Sequence, residues 1–424
     1  MTDLGPSPLA AGDLNLSVAD ARAAIHAQIA AAPGLPTEAV PLAQAIGRVL
    51  ADDLVSTMAV PPHDNSAMDG YAFDGAALRT DAPLQLTRTA TVYAGTPYDG
   101  TVAAGTCVRI MTGAVMPAGC DTVVPQELCQ ADADVVTIAP GVIRPGENRR
   151  KAGEDLALGA AALQAGRVLR PADLGLAASL GYETVTVRRR LKVALFSTGN
   201  EVFAPGTPLP PGGIYDSNRA SLRGALQRLG CEVLDLGLVP DDPAALQAVL
   251  DRAVREADAV MTSGGVSVGD ADYTRELLAR MGEVAFWKVA MRPGRPFAFG
   301  PLKGGERPSW LFALPGNPVA ALVTFYAFAR EALQALAGAR PEPLPVLQVP
   351  CTSAIRKRPG RTEFQRGIVE PGPDGRAQVR LTGAQGAGIL RSLSEANCLV
   401  VLGHEQASTA AGEPVTVWLF DGLV

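Results

Sequence analysis

The chain has 424 residues, too many for a single core, with 47% hydrophobic and 19% charged residues. That composition excludes disordered and fibrous classes and predicts two to four domains. A net charge of −6 argues against nonspecific nucleic-acid binding, which depends on phosphate neutralisation by Lys and Arg.

The opening residues lack a basic segment followed by an apolar one, so no signal peptide is expected. No stretch approaches the ~18 apolar residues of a membrane span, so no membrane partner is expected. The six cysteines form no CxxC pair, which fits free thiols in a reducing cytoplasm and offers no structural zinc site. Only His26, His63 and His404 are present, so histidine-based catalysis has few candidates.

Ser17 followed by Asp20 predicts a helix start, with Val18, Ala21, Ile25 and Ile29 on one face. The stretch from Val40 to Leu50 suggests a second helix. From about Leu54 to Pro145 short strand patterns alternate with turns, as in LQLTRTATVYAG and DTVVPQEL, predicting an all-β module of barrel or sandwich type. Helical signals return at Pro171–Leu180, so the first fifty residues and 150–185 are expected to form one element interrupted by that module. Residues 190–337 alternate strand and helix patterns, which predicts a mostly parallel sheet covered on both faces. The last eighty residues hold short β runs and predict a small β domain.

Chemistry concentrates at turns after strands. In TSGGVSVGDADY, Gly264, Gly265 and Gly269 follow a buried strand and precede a helix, a layout that lets backbone N–H groups approach an anion. Ser263 and Ser267 add hydroxyls, and Asp270 and Asp272 offer carboxylates to a divalent cation. A tight turn with capping aspartates would look the same. The same sheet edge also carries Ser197-Thr198-Gly199-Asn200-Glu201, Asp241-Asp242-Pro243 and Leu314-Pro315-Gly316-Asn317-Pro318. In the last, Asn317 can cap a helix that begins at Pro318, with free N–H groups pointing outward. Ligands of open α/β sheets bind at such carboxyl ends, and an extended phosphorylated ligand would span several of them. Lys288, Arg292 and Arg295 lie in an apolar, Pro- and Gly-ordered segment, where fixed cations suit tetrahedral oxyanions.

In the first half, PPHDNSAMDGY is rich in turn formers and makes Ser66 and Asp69 candidate contacts, as is Thr112 in the Met111-Thr112-Gly113 turn. Asn148–Asp155 places three cations beside two carboxylates and by itself reads as a solvated surface run. Arg356, Lys357, Arg358, Arg361 and Arg366 form a second basic group.

These segments, together with RIMTGAVMP, RRKAGEDL, VALFSTGNE, YDSNR, FWKVAMRPGRPFAFG, LPGNPVAAL and GRTEFQRG, resemble the motif series of MoeA-type molybdopterin molybdenumtransferases, the family shared with the C-terminal region of gephyrin. The resemblance runs in order from about residue 15 to 420. It implies an elongated first domain (1–55 and 148–186), an inserted β-rich domain (56–147), a three-layer α/β molybdopterin-binding domain (187–338) and a C-terminal β barrel (339–424). It implies a cytoplasmic homodimer that transfers molybdate to adenylated molybdopterin with Mg²⁺, releasing AMP and molybdenum cofactor, with transient contacts to the adenylyltransferase and to apo-molybdoenzymes. Its cleft is expected to use parts of both subunits.

By motif, the resemblance gives functional roles to Asp69, Asp155, Glu201, Asp241, Asp272 and Thr112, with Glu201, Asp241 and Asp272 as Mg²⁺ ligands. Substrate contacts are expected from Ser66, Ser197, Thr198, Gly199, Ser263, Gly264, Gly265, Ser267, Gly269, Lys288, Arg292, Arg295, Pro315, Gly316, Asn317 and Arg366. Asn200, Arg292, Arg295 and Ala387 depart from the family's commonest residues. Two other functions share parts of this pattern: the adenylyltransferase of the same pathway, and a non-enzymatic cofactor carrier or scaffold.

Overall fold

The structure is a computed structural model that describes residues 15–264, 277–278, 280–340 and 345–420. It divides into two compact units. One takes Met1–Ala51, Gly166–Arg170 and Thr186–Val424, the other Asp52–Ala165 and Pro171–Val185. This division cuts across the four parts expected from sequence: residues 1–51 fall with the α/β and barrel parts, whereas most of 148–186 falls with the inserted β part.

The first unit is built on a seven-stranded sheet. Its strands are β1 (Asn15–Leu16), β2 (Lys192–Thr198), β3 (Glu232–Val239), β4 (Ala259–Ser263), β5 (Ala285–Val289), β6 (Pro296–Leu302) and β7 (Ser309–Leu314), in spatial order β1-β5-β6-β7-β4-β2-β3. The pairs among β7, β4, β2 and β3 are parallel, whereas β6 runs antiparallel between β5 and β7. The central strands β4 and β7 are buried along their whole length, as continuous apolar runs covered on both faces should be.

Among the described residues, four helices with full bounds flank this sheet: α1 (Val18–Ile29), α2 (Ser217–Arg228), α3 (Pro243–Glu256) and α4, which starts at Pro318 and runs through a π-turn at Phe325–Ala329 to Leu336. One face of the sheet packs Leu195, Met261 and Phe312 against α1, α2 and α4. The other packs Phe196, Val260 and Leu311 against α3 and Leu277–Leu278. That makes three layers. The helix α4 is long and apolar enough to cross a membrane by length and composition, contrary to the expectation that no stretch would be, yet 67% of it is buried in this core.

Local chemistry explains the helix starts. The Ser17 side chain accepts from Asp20 N–H, and Asp242 from Ala245 N–H ahead of Pro243. The helix expected over 40–50 does not form. Thr37–Pro41 is a strand followed by a single 3₁₀ turn at Leu42–Gln44, and Gly47 adopts φ +69°. Pro41 and β-branched Val40 disfavour a helix there, and the apolar spacing that suggested one serves buried Ala45, Val49 and Leu50 in an irregular segment.

The same unit carries a β barrel formed by Val346–Pro350, Thr362–Pro371, Ala377–Leu381, Cys398–Leu402 and Pro414–Leu419. A Cys351–Val379 bridge closes it. The short strand Met291–Arg292 pairs with Thr362–Glu363, which ties the barrel to the loop between β5 and β6.

The second unit contains a six-stranded sheet over Gly70–Phe73, Leu84–Val92, Thr106–Ile110, Thr122–Pro125, Cys129–Asp132 and Val135–Ile138, so the expected strands form, as one sheet where a barrel or sandwich was expected. A helix at Pro171–Ser179 also belongs to it.

Candidate functional site

In the first unit, the carboxyl ends of the parallel strands open into a cavity of about 1150 Å³. Residues 197–202 after β2, Asp241 after β3, Ser263–Gly264 after β4 and Pro315–Pro318 after β7 line it, joined by Met291–Pro296, Arg361 and the turn at Gln385–Gly388. Four separate strand-end motifs therefore meet in one space, the usual ligand position for such a sheet. Gly265, Ser267, Gly269, Asp270 and Asp272 lie outside the described residues.

Carboxylates and cations share this cavity. Glu201, Asp241 and Asp216 supply the carboxylates; the first two are exposed and Asp216 is buried. Asp241 accepts a hydrogen bond from the Thr198 hydroxyl, and its backbone N–H points at the Asn200 side-chain oxygen at 3.4 Å. Arg292, Arg295 and Arg361 supply the cations. Arg361 is also paired with Glu363 at 2.7 Å. The loop that carries Arg292 and Arg295 turns through Gly294 at φ +100°, where a Cβ would sit 2.5 Å from the Thr324 hydroxyl. Hard oxygen donors from Glu201, Asp241 and Asn200 suit Mg²⁺, which takes one or two carboxylates plus substrate phosphates rather than a closed protein cage. Among the described residues no cluster of three or more His, Cys, Asp and Glu side chains forms such a cage.

Among the expected contacts, Ser197, Ser263, Gly264 and Asn317 line the cavity, and the two serines also brace it. The Ser197 hydroxyl donates to Asp216 at 3.1 Å, and Asp216 caps α2 and pairs with Arg219. Ser263 donates to Pro315 O at 3.2 Å and accepts from Asn218 Nδ2 at 2.7 Å. The same Nδ2 donates to Gly316 O at 2.6 Å, so Asn218 stitches the ends of β4 and β7 to α2. Gly264 sits at φ +95°, and a Cβ there would come within 2.6 Å of the Thr198 carbonyl oxygen, so the turn requires glycine. Asn317 occupies the cap position of α4 but makes no side-chain cap bond, and the Val319 N–H is taken by Ala387 O at 3.1 Å rather than left free. Lys288 is half-buried on β5, opposite Pro296 on β6, and is not among the cavity-lining residues. Arg366 is fully buried beneath the Gln385–Gly388 turn. Sequence reasoning missed Arg361, Asn218 and Gln385; the basic group around residue 361 and the YDSNR motif were the available signals.

The second unit assembles the motifs of the first half. Asn65–Ser66 pairs antiparallel with Arg149–Arg150, so PPHDNSAMDGY lies against ENRRKAGED. Asp64 accepts from Ala152 N–H at 2.9 Å and lies 3.6 Å from Arg149 Nε. Ser66 is buried, and its hydroxyl donates to Met68 O, so it shapes the turn. Asp69 Oδ1 accepts from both the N–H and the hydroxyl of Thr112. These bonds hold its carboxyl below the usual carboxylate range, with a smaller contribution from the charge of Arg109. Asp155 is exposed, with its N–H bonded to Val60 O.

A three-layer α/β domain with a cavity of cations and carboxylates at its strand ends, carried with a β barrel, defines the class of the first unit. Family models agree. The MoeA N-terminal region (domain I and II) matches residues 16–181, the "Probable molybdopterin binding domain" matches 194–335, and the MoeA C-terminal region (domain IV) matches 348–420. The chain is 40% identical to "Molybdopterin molybdenumtransferase" of Haemophilus influenzae over 92% of its length and 95% of the relative's. It is 38% identical to "Molybdopterin molybdenumtransferase 2" of Mycobacterium tuberculosis, covering 89% and 94%. The solved molybdopterin biosynthesis moeA protein of Pyrococcus horikoshii OT3 superposes with a TM-score of 0.81 at 28% identity, over 96% of this chain and all of that one. The chain belongs to the MoeA family.

Proposed function

We propose that this protein is a molybdopterin molybdenumtransferase, which takes molybdate and adenylated molybdopterin and yields molybdenum cofactor and AMP. The observation that supports it best is the single cavity in which Arg292, Arg295 and Arg361 accompany Glu201 and Asp241. A tetrahedral dianion needs fixed guanidinium forks, and a diphosphate linkage needs a cation held by carboxylates.

Release of AMP is a hydrolysis: a water oxygen bonds to phosphorus as the bridging P–O bond between the adenylyl and molybdopterin phosphates breaks, leaving AMP and the molybdopterin phosphate. Mg²⁺, when bound, neutralises charge on those phosphates. Glu201 and Asp241 would hold it, with Thr198 fixing Asp241 by its hydroxyl. The arginines orient molybdate. Neither a histidine base nor a cysteine nucleophile enters this scheme.

The same proposal includes a cytoplasmic homodimer and transient contacts with the adenylyltransferase and with apo-molybdoenzymes. Asp69, Thr112 and Asp155 are its functional residues in the second unit.

Purified protein incubated with adenylated molybdopterin, Mg²⁺ and molybdate should release AMP and reconstitute an apo-molybdoenzyme. Absence of both products would refute the reading. ATP-dependent adenylation of free molybdopterin would point to the adenylyltransferase instead. Light scattering at micromolar concentration should give twice the chain mass.

A further inference from the structure

The loop that carries Arg292 and Arg295 is fastened at both ends and rests on α4 in between. At one end Met291–Arg292 pairs with Thr362–Glu363 of the barrel. At the other, Arg295 O accepts the Val289 N–H at 2.8 Å, and Pro296 begins β6. Between these ties Gly294 passes over the face of α4 that carries Ala320 and Thr324, one helical turn apart. A Cβ on Gly294 would stand 2.5 Å from the Thr324 hydroxyl and 3.5 Å from Ala320 O, so glycine is what lets the loop come this near. Arg292, Gly294, Arg295 and Ala320 line the cavity, whereas Thr324 lies beneath them at 0% exposure.

The Thr324 hydroxyl has no hydrogen-bond partner among the described residues. A helical threonine can give its hydroxyl to the carbonyl four residues back, here Ala320 O, and that bond is not made. Burial of an unpaired hydroxyl is unfavourable, and any movement that pairs it is favoured by the same amount. The Gly294 backbone, directly above, is the polar group that a small displacement of the arginine loop would bring into bonding range.

We propose that Thr324 is a positioning residue for oxyanion binding: it does not touch the ligand, but its hydroxyl bonds to the backbone at Pro293–Gly294 when Arg292 and Arg295 draw their loop onto an oxyanion. The proposal rests on the reading of this cavity as the molybdate site. A hydroxyl unpaired here and paired in the complex adds its pairing energy to ligand affinity, because it favours one loop position over the other. This gives a sign that a merely structural threonine would not have. Removing the hydroxyl relieves the protein alone and penalises the complex.

The full chain tests this as wild type, Thr324→Val and Thr324→Ser, by chemical denaturation without ligand and by calorimetric titration with molybdate alone. Valine keeps the shape and lacks the hydroxyl. Thr324→Val should be at least as stable as wild type yet bind molybdate about three- to tenfold more weakly, and Thr324→Ser, which keeps the hydroxyl, should recover most of that loss. In AMP release, Thr324→Val should raise KM for molybdate and leave kcat nearly unchanged. Equal molybdate affinity in wild type and Thr324→Val would overturn the proposal. So would a loss of stability in Thr324→Val that Thr324→Ser does not share, since the hydroxyl would then be bonded before any ligand arrives. Failure of wild type to bind molybdate at all would instead remove the reading of the cavity, and this proposal with it.

Discussion

Asp69 Oδ1 receives two hydrogen bonds from one residue, the N–H and the hydroxyl of Thr112, each at 2.7 Å. The pair closes two motifs of the second unit onto one another and keeps the carboxylate charged to unusually low pH. The sign follows from that shift. A depressed carboxyl pKa contributes stability above its unfolded value, and that contribution is lost as pH falls through the lower folded value. Substituting Thr112→Val removes the hydroxyl but leaves the backbone bond. The Asp69 pKa, followed by carboxyl NMR, should therefore rise toward the ordinary value in Thr112→Val, and the acid limb of the unfolding curve should move to higher pH. Asp69→Asn can still accept both bonds, so it should fold normally while losing AMP release. Full activity in that variant would remove Asp69 from the function.

Ser263 was expected to touch substrate, yet its hydroxyl is occupied by Pro315 O and Asn218. Asn218 also binds Gly316 O, so it carries more of the structure than Ser263 does. Loss of a hydrogen bond within such a network costs about 1–3 kcal/mol where a partner is left unsatisfied. Asn218→Ala should therefore lower the unfolding free energy obtained from chemical denaturation by an amount in that range and raise KM by loosening the strand ends. Ser263→Ala should change kcat little if the hydroxyl is structural. A loss of kcat in Ser263→Ala with unchanged stability would return Ser263 to the list of substrate contacts.

Where the sequence was legible, one residue type satisfied one local rule. Ser17 caps α1, Asp242 caps α3, and the apolar runs of β4 and β7 mark strands covered on both faces. The strand-end turns were legible for the same reason, since glycine and short polar residues between strand and helix patterns have few other uses. The stretch 40–50 was not, because Pro41 and Gly47 override an apolar spacing that also fits a helix. Within the site, the sequence shows which residues carry charge but not which side of a turn they occupy. Arg361 and Arg366 belong to the same basic run, yet one lines the cavity and the other is sealed beneath it. Asn218 was invisible as a brace because its partners, Ser263 and Gly316, are far along the chain.

The three cavity arginines should not be equivalent. Arg361 is already paired with Glu363, so part of its charge is spent within the protein. The charge of Arg292 instead reaches Arg366, whose pKa it helps to lower. Neutralising Arg292 to Met should therefore weaken molybdate binding more than Arg361→Met. A charge-assisted contact of this kind is worth about 1.5–3 kcal/mol, or roughly 10- to 150-fold in affinity. Titration of both variants with molybdate at fixed ionic strength measures the ranking, and the reverse order would show that Arg361 is the principal contact despite its pairing.

Glu201 and Asp241 differ in how firmly they are held. Asp241 is oriented by the Thr198 hydroxyl, whereas the Glu201 backbone O is fixed by Ile214 N–H with its carboxylate exposed to the cavity. If both hold Mg²⁺, Asp241→Asn and Glu201→Gln should each raise the Mg²⁺ concentration needed for half-maximal AMP release, by about tenfold for a lost carboxylate contact worth ~1.4 kcal/mol. Thr198→Val should raise it by a smaller factor, because the carboxylate remains but is no longer oriented. High Mg²⁺ should restore most of the rate in all of these variants, since the reacting groups are otherwise intact. A rate that stays low at saturating Mg²⁺ would mean that these carboxylates act on the substrate itself and that the cation is held elsewhere.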